Sequence, residues 1–191
     1  EDVIGKVIGS TSVPRERLFI TTKVWGTNLT ENRFLPSVEH SLKELKQDYV
    51  DLLLIHWPNK NIPLEESLDQ LMIAREKGYC KLIGVSNFTV ELLEKVEKRG
   101  VDIVCNQFEY HPFLNQDKLL AKTREMGCFA TAYAPLAKGQ VVDIEILQYI
   151  ALKHKVKPAQ VALRWLVQQE DVVAIPKSSQ LYRIKQNFDV F

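Results

Sequence analysis

Six short apolar segments recur along this 191-residue chain, each closed by a polar side chain or a proline and separated from the next by stretches of helical periodicity. The clearest is Val50-Asp51-Leu52-Leu53-Leu54-Ile55-His56-Trp57-Pro58. Its aliphatic run is too short for a membrane span and reads as a strand buried on both faces. Pro58 cannot donate to a sheet ladder, so the strand stops there and leaves an imidazole and an indole at its carboxyl end. A single histidine in such a place is more often a structural cap than a functional group. Recurrence of the pattern along the chain reverses that weighing.

Taken in order, residues 1–9 carry apolar residues at helical spacing, and Leu18 to Lys23 reads as a buried strand. Leu35, Val38, Leu42 and Leu45 mark one face of the next helix, with Pro36 expected in its first turn. After the His56 strand, Pro63 and Gly78 bracket a helix, and residues 82–87 form a strand ending in Ser86-Asn87. Thr89 caps a helix that Gly100 closes, residues 102–107 form the next strand, and Asn115 is expected to cap the helix after it. Cys128 to Tyr133 is a strand stopped by Pro135, helices follow from Asp143 and Pro158, and Val172 to Pro176 is the last strand. A short helix through Arg183 and Asn187 ends the pattern.

Apolar strands alternating with amphipathic helices imply parallel pairing through right-handed crossovers. A doubly wound sheet and a (β/α) barrel both satisfy this. The dinucleotide fingerprint G-x-G-x-x-G and the phosphate loop G-x-x-x-x-G-K-[ST] are absent, which favours the α/β class in its (β/α)8 TIM-barrel form. Such a barrel typically takes about 250 residues. The expectation is therefore one barrel domain over residues 1–191, with two strands and a C-terminal tail outside this sequence.

Lys+Arg 25 against Asp+Glu 24 leaves nothing that calls for nucleic acid or an anionic membrane surface. Cys80, Cys105 and Cys128 are widely spaced and odd in number, with no metal-binding spacing, which fits reduced thiols in the cytoplasm.

The strand ends collect Lys23, His56, Ser86, Asn87, Gln107, Tyr133, Lys177 and Ser178. One buried Gln or Asn most often satisfies backbone groups. Six successive ends are harder to attribute to packing, because in a barrel they converge on one mouth. Ser, Asn and Gln offer donors and acceptors for a carboxamide, and Tyr133 offers a ring for stacking on a heterocycle. Lys177, Ser178 and Arg183 surround a helix N-terminus, a natural seat for phosphate.

Thr22-Lys23-Val24-Trp25, Ile55-His56-Trp57-Pro58, Gly84-Val85-Ser86-Asn87-Phe88, Asn106-Gln107-Phe108-Glu109-Tyr110-His111-Pro112, Ala132-Tyr133-Ala134-Pro135-Leu136 and Ile175-Pro176-Lys177-Ser178 resemble, in order and spacing, the signatures of the aldo-keto reductases. The short connections resemble the bacterial and plant-type members. The resemblance implies NADPH-dependent reduction of aldehydes or ketones to alcohols. It implies Lys23 as the lysine that lowers a catalytic tyrosine's pKa and His56 as the group that orients the carbonyl. Ser86, Asn87 and Gln107 would hold the nicotinamide carboxamide and Tyr133 would stack on its ring. Leu136 belongs to the cofactor set; Lys177, Ser178 and Arg183 would surround the adenosine 2′-phosphate, with Gln186 and Asn187 at the adenine. Gln186 departs from the Glu of many members. Trp25 and Trp57 would wall the pocket of a small-molecule carbonyl substrate; rim packing is an equal reading for Trp25.

The family's proton-donor tyrosine and its partner aspartate would fall before Glu1, and none of the six tyrosines present is an evident substitute. Residues 1–191 alone are therefore expected to be inactive, and the full-length protein to be a monomeric enzyme. Two rival readings are a non-catalytic NADPH-binding barrel serving as a sensor or docking module, and a structural protein without ligand. Aldehyde turnover separates the first from both, and NADPH binding separates the two from each other.

Overall fold

In a computed structural model describing residues 1–191, strand β2 (Val50–Ile55) is buried at every position, as its unbroken aliphatic run requires. Contacts divide the chain into two units, residues 1–105 and residues 106–191.

In the first unit, β2 pairs in parallel with β1 (Thr21–Val24) on one side and β3 (Cys80–Ser86) on the other. The register sets Lys23 beside Leu54, Leu54 beside Gly84, and Ile55 beside both Val24 and Val85. Around these strands lie α1 (Asp2–Ser10), α2 (Glu31–Leu45), α3 (Leu64–Glu76) and α4 (Val90–Arg99). Phe34 and Val38 of α2, Leu68 and Leu71 of α3, and Leu93 and Val96 of α4 are buried with Leu52 to Ile55. Each such side chain contributes roughly 1.5–3 kcal/mol of transfer free energy. Thr89 caps α4 by accepting the Leu92 N–H at 3.4 Å, and Gly100 ends it at φ 73°. Gly84 is dictated by space: a Cβ there would lie 2.7 Å from both the Cys105 carbonyl oxygen and Leu54 Cδ2.

Strand β1 starts later than its hydrophobicity suggests. The Ile20 N–H donates to Asp51 Oδ2 at 2.9 Å, so a carboxylate takes the donor that a ladder would use. Pro36 lies inside α2 rather than in its first turn, because the helix begins at Glu31, ahead of the apolar stripe. Asn115 sits one residue before the cap of α5 (Asp117–Glu125); Gln116 is the cap, while Asn115 Oδ1 accepts the Asp117 N–H at 2.9 Å. Strand β4 runs Cys105–Glu109, a few residues beyond the expected start.

In the second unit, β5 (Phe129–Tyr133) pairs in parallel with β6 (Val172–Ala174), and the Tyr110 N–H reaches the Tyr133 carbonyl at 3.3 Å. The core there is Phe108, Tyr110, Leu120, Ala130, Ala132, Leu166 and Val172, with Trp165 packed against it. Tyr110 and Trp165 meet edge to face at 5.2 Å, and the Tyr110 hydroxyl donates to Gln169 Oε1 at 2.9 Å. Helices α6 (Glu145–His154) and α7 (Pro158–Val167) share a smaller cluster of Ala137, Val141, Leu147 and Ala162. Helix α8 (Leu181–Phe188) follows β6. No helix is long and apolar enough to cross a membrane.

Candidate active site

The first unit gathers its polar residues at the carboxyl ends of β1, β2 and β3. Lys23 is the third residue of β1, His56 follows the last residue of β2, and Ser86 ends β3. Lys23, Leu54 and Gly84 occupy one level of the ladder. Trp25, His56 and Ser86 lie two residues further along their strands, hence on the same face and one level higher. Ser86 is fully buried.

Local geometry fixes this end of the sheet. The His56 N–H donates to the Val24 carbonyl at 2.9 Å, continuing the ladder past β2. Asn87 adopts φ 62°, a left-handed conformation that asparagine tolerates better than most residues. Its Nδ2 donates to the His56 carbonyl at 2.9 Å and to Ser86 Oγ at 3.0 Å. Trp25 stands edge-on to the His56 ring at 4.8 Å. Burial pulls the Lys23 ammonium below its ordinary range, partly opposed by the Cys105 thiol. Burial, then the positive charge of Lys23, lowers His56 below its ordinary value of 6.5. The imidazole is accordingly neutral at pH 7 and has one N–H to direct.

In the second unit, Gln107 is buried within β4, and Tyr133 ends β5 half-buried. Burial, then the Glu109 carboxylate, raises the Tyr133 phenol, so it stays un-ionised. Beyond Tyr133 the backbone is strained: Ala134 and Ala137 both have φ 46° and Lys138 has φ 54°. Such conformations persist only where the surroundings impose them, commonly at ligand-binding segments.

This strained segment lines a cleft of about 840 Å³ together with the residues that follow β6. Leu136, Lys177, Ser178, Arg183, Gln186 and Asn187 all line it. The lining also includes Lys138, Lys157 and Tyr182, and it holds no carboxylate. Ser178 Oγ accepts the Gln180 N–H at 3.1 Å just ahead of α8. Arg183 Nε donates to the Tyr182 hydroxyl at 2.9 Å, which aims the guanidinium. Cations, a hydroxyl at a helix start, and amides one turn later fit a phosphorylated adenosine in chemistry. Lys138, Lys157 and Tyr182 were not legible as site residues, since none belongs to a strand end.

Most of the tyrosines are engaged elsewhere. Tyr79 donates to Glu39 at 2.7 Å, and Tyr110 to Gln169. The Tyr49 ring is faced by Arg15 and Lys81, and Tyr182 serves Arg183.

Parallel strands with polar carboxyl ends in the first unit and a cationic cleft in the second suit an α/β protein that binds a phosphorylated nucleotide, and the comparisons agree. The chain belongs to the aldo/keto reductase family, whose model matches residues 1–191. It is 41% identical to glyoxal reductase of Bacillus subtilis strain 168, covering 100% of this chain and 69% of that protein. It is 39% identical to methylglyoxal reductase DkgB of Escherichia coli O157:H7, covering 98% of this chain and 71% of that protein. MGS-M4, an aldo-keto reductase from a Medee basin deep-sea metagenome library, superposes with a TM-score of 0.95 at 36% identity, covering 100% of this chain and 71% of its own. A Bombyx mori aldo-keto reductase in complex with NADP gives 0.90 at 31% identity, covering 100% and 69%.

The fold is the family's (β/α)8 barrel, and the chemistry is NADPH-dependent reduction of aldehydes or ketones to alcohols. Both of these curated relatives are named as reductases, which supports the enzymatic reading over the non-catalytic one.

Proposed function

We propose that the intact protein reduces small α-oxoaldehydes, of the class named for its glyoxal- and methylglyoxal-reducing relatives, with residues 1–191 forming part of its one barrel domain. It acts as a cytoplasmic monomer when full length. Bound NADPH supplies the hydride. Ser86, Asn87 and Gln107 would offer donors and acceptors to its carboxamide, and the un-ionised Tyr133 would offer its ring to the nicotinamide. Leu136, Lys177, Ser178, Arg183, Gln186 and Asn187, which line the cleft, would hold the adenosine end. His56, neutral and oriented by its ladder bond and by Trp25, directs an N–H at the carbonyl oxygen. Lys23 supplies positive charge at the site, favouring the ionised form of a neighbouring acid. Trp25 and Trp57, both about half exposed, form the apolar walls.

The observation that carries this reading is the composition of the 840 Å³ cleft: Lys138, Lys157, Lys177 and Arg183 with no carboxylate among the lining residues. A bare ribose would not call for that charge, whereas a 2′-phosphate would. The test titrates NADPH and NADH into the intact natural protein and its Arg183→Ala variant, then measures turnover with methylglyoxal. Charge-assisted hydrogen bonds contribute roughly 1.5–3 kcal/mol. NADPH affinity is therefore expected to fall about tenfold or more in the variant while NADH affinity holds. Equal affinity of the parent for both cofactors would overturn the phosphate assignment. Failure to reduce methylglyoxal alongside turnover of bulkier ketones would overturn the substrate class.

A further inference from the structure

We infer that Asn59 is a positioning residue for the carbonyl pocket: its side chain staples the loop after β2 to the loop after β1 and so fixes the spacing of Trp57 and Trp25. This rests on the reading that the two indoles wall the substrate pocket.

The two ends of the Asn59 amide have different tasks. Oδ1 accepts the Asn61 N–H at 3.0 Å, while the Asn59 carbonyl accepts the Ile62 N–H at 3.1 Å, so this half folds its own loop. Nδ2 points the other way and donates to the Gly26 carbonyl at 2.8 Å. The loops also touch directly there, since a Cβ on Gly26 would lie 3.1 Å from the Trp57 carbonyl oxygen. Trp25 is coupled to this junction because the Asn28 N–H donates to its carbonyl at 2.8 Å, closing a tight turn around Gly26. Movement at Gly26 therefore moves Trp25, whose ring packs edge-on against His56.

Core packing cannot hold these rings in place. Trp25 is 53% exposed and Trp57 45% exposed, so the backbone beneath them decides where they stand. The Asn59–Gly26 bond is a side-chain tie between those two backbones, and it touches neither Lys23 nor the cationic cleft. Loosening it should widen or tilt the pocket and leave the reacting groups alone.

An Asn59→Asp variant isolates the staple. Its carboxylate keeps the acceptor for the Asn61 N–H but has no donor for the Gly26 carbonyl. Steady-state kinetics with methylglyoxal in the intact natural protein should show KM raised roughly three- to tenfold in Asn59→Asp and in Asn59→Ala. The kcat and the NADPH affinity should stay within about twofold of the parent, since no reacting or cofactor-holding group is altered. A parent-like KM in Asn59→Asp, with Trp25→Ala raising KM, would overturn the staple and leave the pocket reading intact. A parent-like KM in Trp25→Ala would overturn the pocket reading itself. Loss of NADPH affinity or of folding in Asn59→Asp would make Asn59 general scaffold and overturn the inference as well.

Discussion

At the amino end of β2 the Asp51 carboxylate is buried, with Arg15 Nη1 2.8 Å from Oδ2, Lys81 Nζ 3.2 Å from Oδ1, and the Ile20 N–H donating at 2.9 Å. At the carboxyl end of the same sheet lie Lys23 and His56, and the charge of Lys23 adds to burial in lowering His56. Burial alone would raise Asp51, but the Ile20 N–H, Arg15 and Lys81 outweigh it and hold the carboxyl below its ordinary value. One end compensates its buried charge in full. The other gathers two groups that can both be positive, partly desolvated, where an anionic oxygen or an ionised acid would be stabilised. The difference separates the end that maintains the fold from the end that does the chemistry, as the barrel architecture leads one to expect.

Substitutions at the two ends should then fail in opposite ways. The largest effect belongs to Lys23→Met in the intact natural protein: general acid–base support is worth roughly 10²–10⁴-fold, so kcat should fall by about that factor. Urea denaturation of the same variant would separate this catalytic loss from any change in folding stability. Near-normal turnover would make Lys23 structural and erase the contrast.

Asp51→Asn should do the reverse. Removing one partner of a buried ion pair strands the other, and breaking such a pair costs about 3 kcal/mol. Urea denaturation should record that loss, with kcat little changed. The depressed carboxyl also fixes the sign of the acid response: its stabilisation is complete above the unfolded value of 3.8 and is lost as pH falls through the lower folded value. An Asp51→Asn protein of parental stability would show that the cluster is only a solvated surface group.

The smallest effect is the pH response of His56. Its folded pKa lies below 6.5, so between the two values the unfolded chain binds the proton first. Stability should therefore decline as pH drops below about 6.5, and His56→Gln should remove that part of the decline. Denaturation midpoints for both proteins at about pH 7.5 and about pH 5.5 would measure it. An unchanged acid slope in His56→Gln would show that the imidazole is not desolvated as described.

Strand identity was legible because β2 and β3 carry their own signals: an unbroken apolar run, a proline stop, and polar residues in the register that follows. Helix α4 was legible at both ends, since Thr89 and Gly100 act within a single turn. Such signals are local, and a local pattern needs no tertiary partner to be read. The polar strand ends likewise announced their chemistry as residue types.

Tertiary structure alone decided the rest. Asp51 sits in an apolar run and reads as an interruption until Arg15 and Lys81, distant in sequence, meet its carboxylate. The same carboxylate takes the Ile20 N–H, and Leu18 bonds back to Arg15, so β1 begins at Thr21 rather than Leu18, which no periodicity of that strand could reveal. Lys138 and Lys157 joined the cationic cleft through the backbone beyond Tyr133 and the start of α7. Asn59 looked like an ordinary turn residue until its amide reached Gly26. Burial lowered Lys23, and burial with the positive charge of Lys23 lowered His56, only once folding brought these strands together. Sequence specified which groups each strand presents, but their charge states and distances depend on neighbours supplied by other strands and loops.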